Sequence, residues 1–181
     1  KEKKLKLHLD GARMFNAVVA SGISAKEMVA PFDSISFCLS KGLGCPVGSL
    51  IVGSQAFIDR CHRFRKMFGG GMRQAGVLAA AGLYALENHI ERMADDHRRA
   101  RALAEAIGAI EGIEVSLESV KTNMVYIDIS GTGHDAATVV DKLNAQEVAL
   151  TAVSEHKLRA VTHLDVDDAG IHQAVAAFNN L

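Results

Sequence analysis

Apolar and polar positions alternate along "KLKLHLD" at the start of the chain and stop at Asp10, which predicts a strand. "GARMFNAVVASG" then changes to helical apolar spacing and ends at Gly22. In "SAKEMVA", Ser24 and Glu27 stand at capping-box spacing and predict a short helix. "SISFCLS" and "LIVGS" read as short apolar strands on either side of the turn sequence "KGLGCPVGS". A basic amphipathic helix is expected from Gln55 to Phe68, broken by the glycines at 69–71. Residues 73–110 then read as helix at length, Ala-rich, with Gly76 and Gly82 permitting close packing. The first half of that stretch reads as buried and the second, from His89, as charged and solvated. A kink or domain boundary is expected at 88–94.

After Gly112 the pattern changes. "IEVSLESV", "NMVYIDIS", "VALTAVS" and "LRAVTHLD" read as strands, and "HDAATVVDKLNAQ" and "DAGIHQAVAAFNNL" as helices. The expectation is a ββαββα unit forming a small α+β domain. The chain is accordingly divided into residues 1–93 and 94–181, with no internal repeat.

Composition narrows the function classes. The 181 residues are 49% hydrophobic and 23% charged with net charge −1, which suits a globular chain with a core. That balance argues against a phosphate-backbone binder, so no nucleic-acid partner is expected. No apolar run reaches membrane-spanning length, and "KEKK" is followed by no signal-peptide core. Cys38, Cys45 and Cys61 cannot all pair within one chain and fit no common zinc spacing, which points to a reducing, cytoplasmic setting. The histidines show no metal-ligand spacing either, so no metal is expected. His8 reads as packed rather than catalytic. The stretch from Arg60 to Lys66 reads as a solvated or subunit-facing helix side.

Lys41 is the most informative residue. It directly follows an apolar strand and precedes Gly42 and Gly44, a place where an amine shielded from water would lie ready to attack a carbonyl carbon. The plain alternative is a surface lysine in a hairpin turn. Asp10 closes a strand some way upstream, and a strand-end carboxylate before a strand-end lysine is the arrangement pyridoxal phosphate enzymes use. There the lysine carries the cofactor and an Asp pairs with the pyridinium nitrogen. Asp10 and Arg13 on their own also fit an i,i+3 surface pair.

"HLDGARMFNA", "SFCLSKGLGCPVGS", "KMFGGGMRQAG" and "LRAVTHLD" together resemble the low-specificity L-threonine aldolases, collinearly and over nearly the whole chain. The resemblance implies an α/β, aspartate-aminotransferase-like fold (fold type I), with part of the large domain followed by the small domain. It implies a pyridoxal 5'-phosphate lyase that cleaves L-threonine and L-allo-threonine to glycine and acetaldehyde. Carried onto this sequence, Lys41 would hold the cofactor in Schiff-base linkage and Asp10 would pair with its ring nitrogen. Arg13 would sit near the substrate carboxylate and the ring hydroxyl, and Arg159 would clamp that carboxylate with its planar fork. Arg73 would reach the cofactor phosphate of a neighbouring subunit in a homo-oligomer such as a tetramer, and Lys66 would approach the same shared site. The family's phosphate loop, ring-stacking histidine and hydroxyl-proton base have no counterpart here. The chain is therefore expected to be a C-terminal half with little activity alone. Another fold-type-I reaction, such as transamination or β-elimination, and an inactive interaction fragment remain the competing readings.

Overall fold

A computed structural model describes residues 5–181, which pack as two compact units dividing between Glu91 and Arg92. In the first unit, strands β1 (His8–Asp10), β2 (Ser34–Cys38) and β3 (Ser49–Gly53) form a sheet in that order. β1 runs parallel to β2, and β3 antiparallel to it. A parallel pair needs a crossover, supplied here by helices α1 (Met14–Ser21) and α2 (Ala25–Val29). α1 stops at Gly22, which takes a left-handed φ of 69° and donates its N–H to Val18 O. α2 starts with the expected capping box, Ser24 and Glu27 each bonding the other's backbone N–H.

Strand periodicity divides this sheet into unlike faces. Leu9, Ile35 and Phe37 point to one side, where α1 lies. Phe15 meets Phe37 edge-on there at 5.4 Å between ring centroids. His8, Asp10, Ser34, Ser36 and Cys38 belong to the other side. Helix α3 (Gln55–Met67) follows β3, capped by the Ser54 side chain, and buries none of its residues.

Helix α4 (Gly76–Asn88) corrects one expectation. Its sequence reads as buried, yet only Gly82 and Ala85 are, and Val77 is 76% exposed. Apolar residues surround this helix, but a narrow small-residue stripe makes its contact within the unit. A Cβ on Gly82 would sit 3.3 Å from Leu39 Cδ1, so glycine permits that approach. The helical run breaks after Asn88 and resumes as α5 (Met93–Ile107), within the stretch expected to kink.

The second unit has one antiparallel sheet of order β4–β6–β5, formed by β4 (Met124–Asp128), β5 (Thr151–Ser154) and β6 (Lys157–Val161). Helices α5, α6 (Ala136–Asn144) and α7 (Asp168–Asn179) complete it. Val125, Ile127, Leu158, Val139, Leu143, Ile107 and Phe178 are all essentially buried and form its core. The expected strand at 113–120 does not form. Glu114 makes a lone bridge to Asp128, and Leu117–Ser119 winds into a 3-10 turn closed by Ser119 Oγ donating to Ser116 O. The unit is thus αβαββα rather than ββαββα. Apolar alternation there serves to bury Ile113 and Val120, not to pair a strand.

Candidate active site

The parallel pairing of β1 and β2 brings the carboxyl ends of both strands to one sheet edge, the usual place for ligands in α/β sheets. Asp10 ends β1 there. Its carboxylate accepts one local hydrogen bond, from Ala12 N at 3.3 Å, and keeps its other acceptor positions free among the described residues. Gly11 follows, donating to Ser36 O at 2.7 Å. A Cβ on Gly11 would lie 2.9 Å from that same backbone oxygen, so the close approach demands glycine. Arg13, half-buried, begins α1, and its guanidinium makes no hydrogen bond or ion pair among the described residues.

Lys41 lies in the turn that leaves β2. The turn is closed by Leu39 N donating to Gly48 O, Gly44 N to Lys41 O and Cys45 N to Leu39 O, with Gly44 at φ 71° and Gly48 at φ 118°. Leu39, Leu43 and Cys45 are buried, His89 Nδ1 donates to Leu43 O at 2.6 Å, and Cys45 Sγ approaches Ala81 O. The lysine itself is exposed, which corrects the expectation of a shielded amine. What the buried turn supplies is a rigid base, from which an unpartnered ammonium projects. Burial pushes the neighbouring Cys45 thiol up from its usual range.

His8 is also exposed rather than packed. Its Nδ1 lies 2.8 Å from Ser34 Oγ and its Nε2 3.4 Å from Ser36 Oγ. Neither serine is among the site residues predicted from the sequence. Their signal was the placing of small hydroxyls at alternate positions of "SISFC".

The other candidates are placed as follows. Lys66 stands exposed in the last turn of α3, and Arg73 exposed in the loop before α4. Gly69 at φ 78° and the Gly70 N–H to Arg65 O bond terminate α3 between them. Neither side chain bonds Asp10 or Lys41. Arg159 belongs to the second unit, in β6, in register with Tyr126 on one side and Thr151 on the other. Since Leu158 and Ala160 enter the core, Arg159 stands on the opposite sheet face. Its Nε is buried without a hydrogen-bond partner, leaving a desolvated donor unused.

An amine, a carboxylate with spare acceptors and a guanidinium, all without strong partners, thus follow the strand ends at one edge. That donor set fits an aldehyde-bearing, nitrogen-heterocyclic anion such as pyridoxal phosphate. No His, Cys, Asp or Glu group among the described residues is arranged to hold a metal ion. Nor is any described helix long and apolar enough to cross a membrane.

Comparison with known proteins agrees with the motif resemblance. The low specificity L-threonine aldolase of Escherichia coli (strain K12) is 45% identical over 176 residues, covering 97% of this chain and 51% of that protein. Low-specificity L-threonine aldolase 1 of Arabidopsis thaliana is 41% identical over 179 residues, 98% of this chain and 50% of the relative. The chain spans about half the length of the curated relatives it matches. Threonine aldolase of Leishmania major superposes with a TM-score of 0.73 at 18% identity, covering 99% of this chain and 52% of that one. A solved structure from Exiguobacterium sp. 255-15 reaches 0.81 at 24% identity, over 99% of this chain and 53% of the other. The fold is therefore the expected α/β, fold-type-I one. The model of the family described as Beta-eliminating lyase matches residues 1–130, and the chain belongs to that family.

Proposed function

We propose that the protein carrying this chain is a pyridoxal-phosphate-dependent aldehyde lyase that splits L-threonine and L-allo-threonine into glycine and acetaldehyde. The observation that carries this reading is the unpartnered Lys41 ammonium, held on a rigid turn at the same sheet edge as Asp10. Likeness to the low-specificity L-threonine aldolases supports the choice of substrate.

In this reading Lys41 holds the cofactor through its amine, and Asp10 accepts a hydrogen bond from the protonated ring nitrogen. The bound group supplies an electron-accepting ring for the pair released when Cα–Cβ breaks. Arg159 and Arg13 hold the substrate carboxylate, which fixes the bond at Cα that is presented for cleavage. The planar fork of a guanidinium suits that bidentate task. Lys66 contributes at the substrate end, and Arg73 reaches the cofactor phosphate of a second subunit in a homo-oligomer. Residues 1–93 form part of the large domain and 94–181 the small one. A cytoplasmic setting accords with the three unpaired cysteines.

The family match also favours β-elimination as a second reading. Products decide between them. Acetaldehyde and glycine from L-threonine support the aldolase, and a keto acid in their place refutes it. Lys41→Ala should abolish the visible absorbance of protein-bound pyridoxal phosphate while leaving the fold intact, because its side chain makes no hydrogen bond or ion pair. A Lys41→Ala protein that keeps the band refutes the assignment of Lys41.

A further inference from the structure

The polar face of the first sheet holds a chain of hydrogen-bonding groups that none of the assigned roles uses. His8 and Ser34 stand abreast across the parallel pair, and so do Asp10 and Ser36. All four side chains lie on one face, and the His8 ring spans the two serines with Nδ1 at 2.8 Å from Ser34 Oγ and Nε2 at 3.4 Å from Ser36 Oγ. Ser34 is buried, and among the described residues its hydroxyl meets no group but His8. The Gly11 N–H to Ser36 O bond pins the end of β1 against β2, so Ser36 cannot drift from Asp10. Among the described residues Asp10 accepts from Ala12 N and Ser36 Oγ meets His8 Nε2, so a Ser36-to-Asp10 bond, across strands roughly 4.8 Å apart, is the link the proposal adds.

Donor counting gives the chain a direction. A neutral imidazole has one N–H and one bare nitrogen, a hydroxyl has one proton, and a carboxylate only accepts. If Ser34 O–H donates to Nδ1, then Nε2–H donates to Ser36 Oγ, and the Ser36 proton is left for Asp10. The opposite order points the Ser36 proton at His8, away from the acceptor that lacks a strong donor.

We propose that Ser34, His8 and Ser36 form an ordered hydrogen-bond relay that ends on Asp10 and holds its carboxylate in position. The proposal rests on the reading of Asp10 as the partner of the cofactor's ring nitrogen. One carboxylate oxygen takes the Ser36 hydroxyl, and the other is aimed along the strand end for the ring. Ser36 and His8 are thus positioning residues, which touch neither substrate nor cofactor.

The test has two readouts in the protein carrying this chain. Long-range proton–nitrogen NMR of the imidazole, assigned with His8→Gln, should show His8 as the Nε2–H tautomer without any cofactor. Ser36→Ala should shift the Nε2 resonance and weaken pyridoxal phosphate binding roughly ten- to a hundredfold, the scale of one hydrogen bond to a charged acceptor. Ser36→Thr, which keeps the hydroxyl, should restore both. An Nδ1–H tautomer in the parent, or Ser36→Ala binding as tightly as the parent while Asp10→Asn is weakened, overturns the relay. Asp10→Asn binding like the parent overturns the cofactor reading instead, and the tautomer with its response to Ser36→Ala then decides the relay alone.

Discussion

Replacing Gly11 by alanine tests whether the close approach of two strand ends sets the position of Asp10. The added Cβ would stand 2.9 Å from Ser36 O and 3.2 Å from Met14 Cβ. The first neighbour is a backbone atom, so no side-chain rotation relieves the contact and the β1 end must move from β2. Overpacking of this kind costs about 1–3 kcal/mol. The Gly11 N–H to Ser36 O bond of 2.7 Å is lost or stretched as well, adding about 1 kcal/mol. The stiffer unfolded chain returns about 0.4–1 kcal/mol. The net is a loss of roughly 2–3 kcal/mol, a fall of roughly 1–2 M in the urea midpoint. Far-UV circular dichroism against urea reads it. Gly22→Ala is the control, since Gly22 has open space around it and only its φ of 69° opposes a side chain. That variant should lose about 1 kcal/mol and leave the site unchanged. In conditions where Gly11→Ala stays folded, its pyridoxal phosphate affinity should still fall, because Asp10 is carried with the strand end. A Gly11→Ala protein within about 0.5 kcal/mol of the parent, with parental affinity, would refute the reasoning.

Two further outcomes follow from burial. Desolvation pushes His97 below its ordinary value of 6.5, with Asp96 opposing in part. The unfolded chain therefore takes up this proton first, so the contribution to stability is full above pH 6.5 and is lost as pH falls toward the folded value. Unfolding free energies at about pH 7.5 and pH 5 should differ less in His97→Gln than in the parent, and equal differences would contradict the assignment. Cys45 is buried and its thiol is pushed up, whereas Cys38 and Cys61 are half-buried. Peptide mapping after brief treatment with a thiol reagent at neutral pH should find Cys45 labelled last, and equal labelling of all three would count against that burial.

Local signals decided where the sequence was legible. The Ser24–Glu27 box and the left-handed Gly22 mark the α1–α2 crossover because caps act within a few residues. Asp135 caps α6 in the same way, through Thr138 N. The 113–120 segment departs from its predicted strand because alternation there reports burial, while strand pairing is fixed by partners distant in sequence. α4 departs from its predicted burial because all-round apolar composition predicts a covered helix without saying what covers it. Within the site, Asp10 and Lys41 were legible as chemistry at strand ends. The exposure of Lys41 was not, since it depends on how Leu39 and Leu43 seat the turn. The Ser34–His8–Ser36 contacts were hidden as well. They exist only at one register of β1 on β2, and a one-residue slip would send every partner to the other face.

That register also explains why the sheet has unlike faces. Parallel strands buried on both sides usually read as continuous apolar runs. β1 and β2 keep apolar residues on the α1 side only, and place His8, Asp10, Ser34, Ser36 and Cys38 on the other. Solvation alone does not account for this face, because Ser34 is buried and Ser36 half-buried, and buried hydroxyls cost stability unless they are bonded. Here His8 bonds both, so the polar groups satisfy one another across the strands. Departures from the local pattern concentrate where function opposes packing, and this one runs along the sheet face to the strand end that carries Asp10. Apolar residues at 34 and 36 would pack as well or better. They would also remove the one hydroxyl abreast of that carboxylate, whose donor here is the 3.3 Å Ala12 N–H.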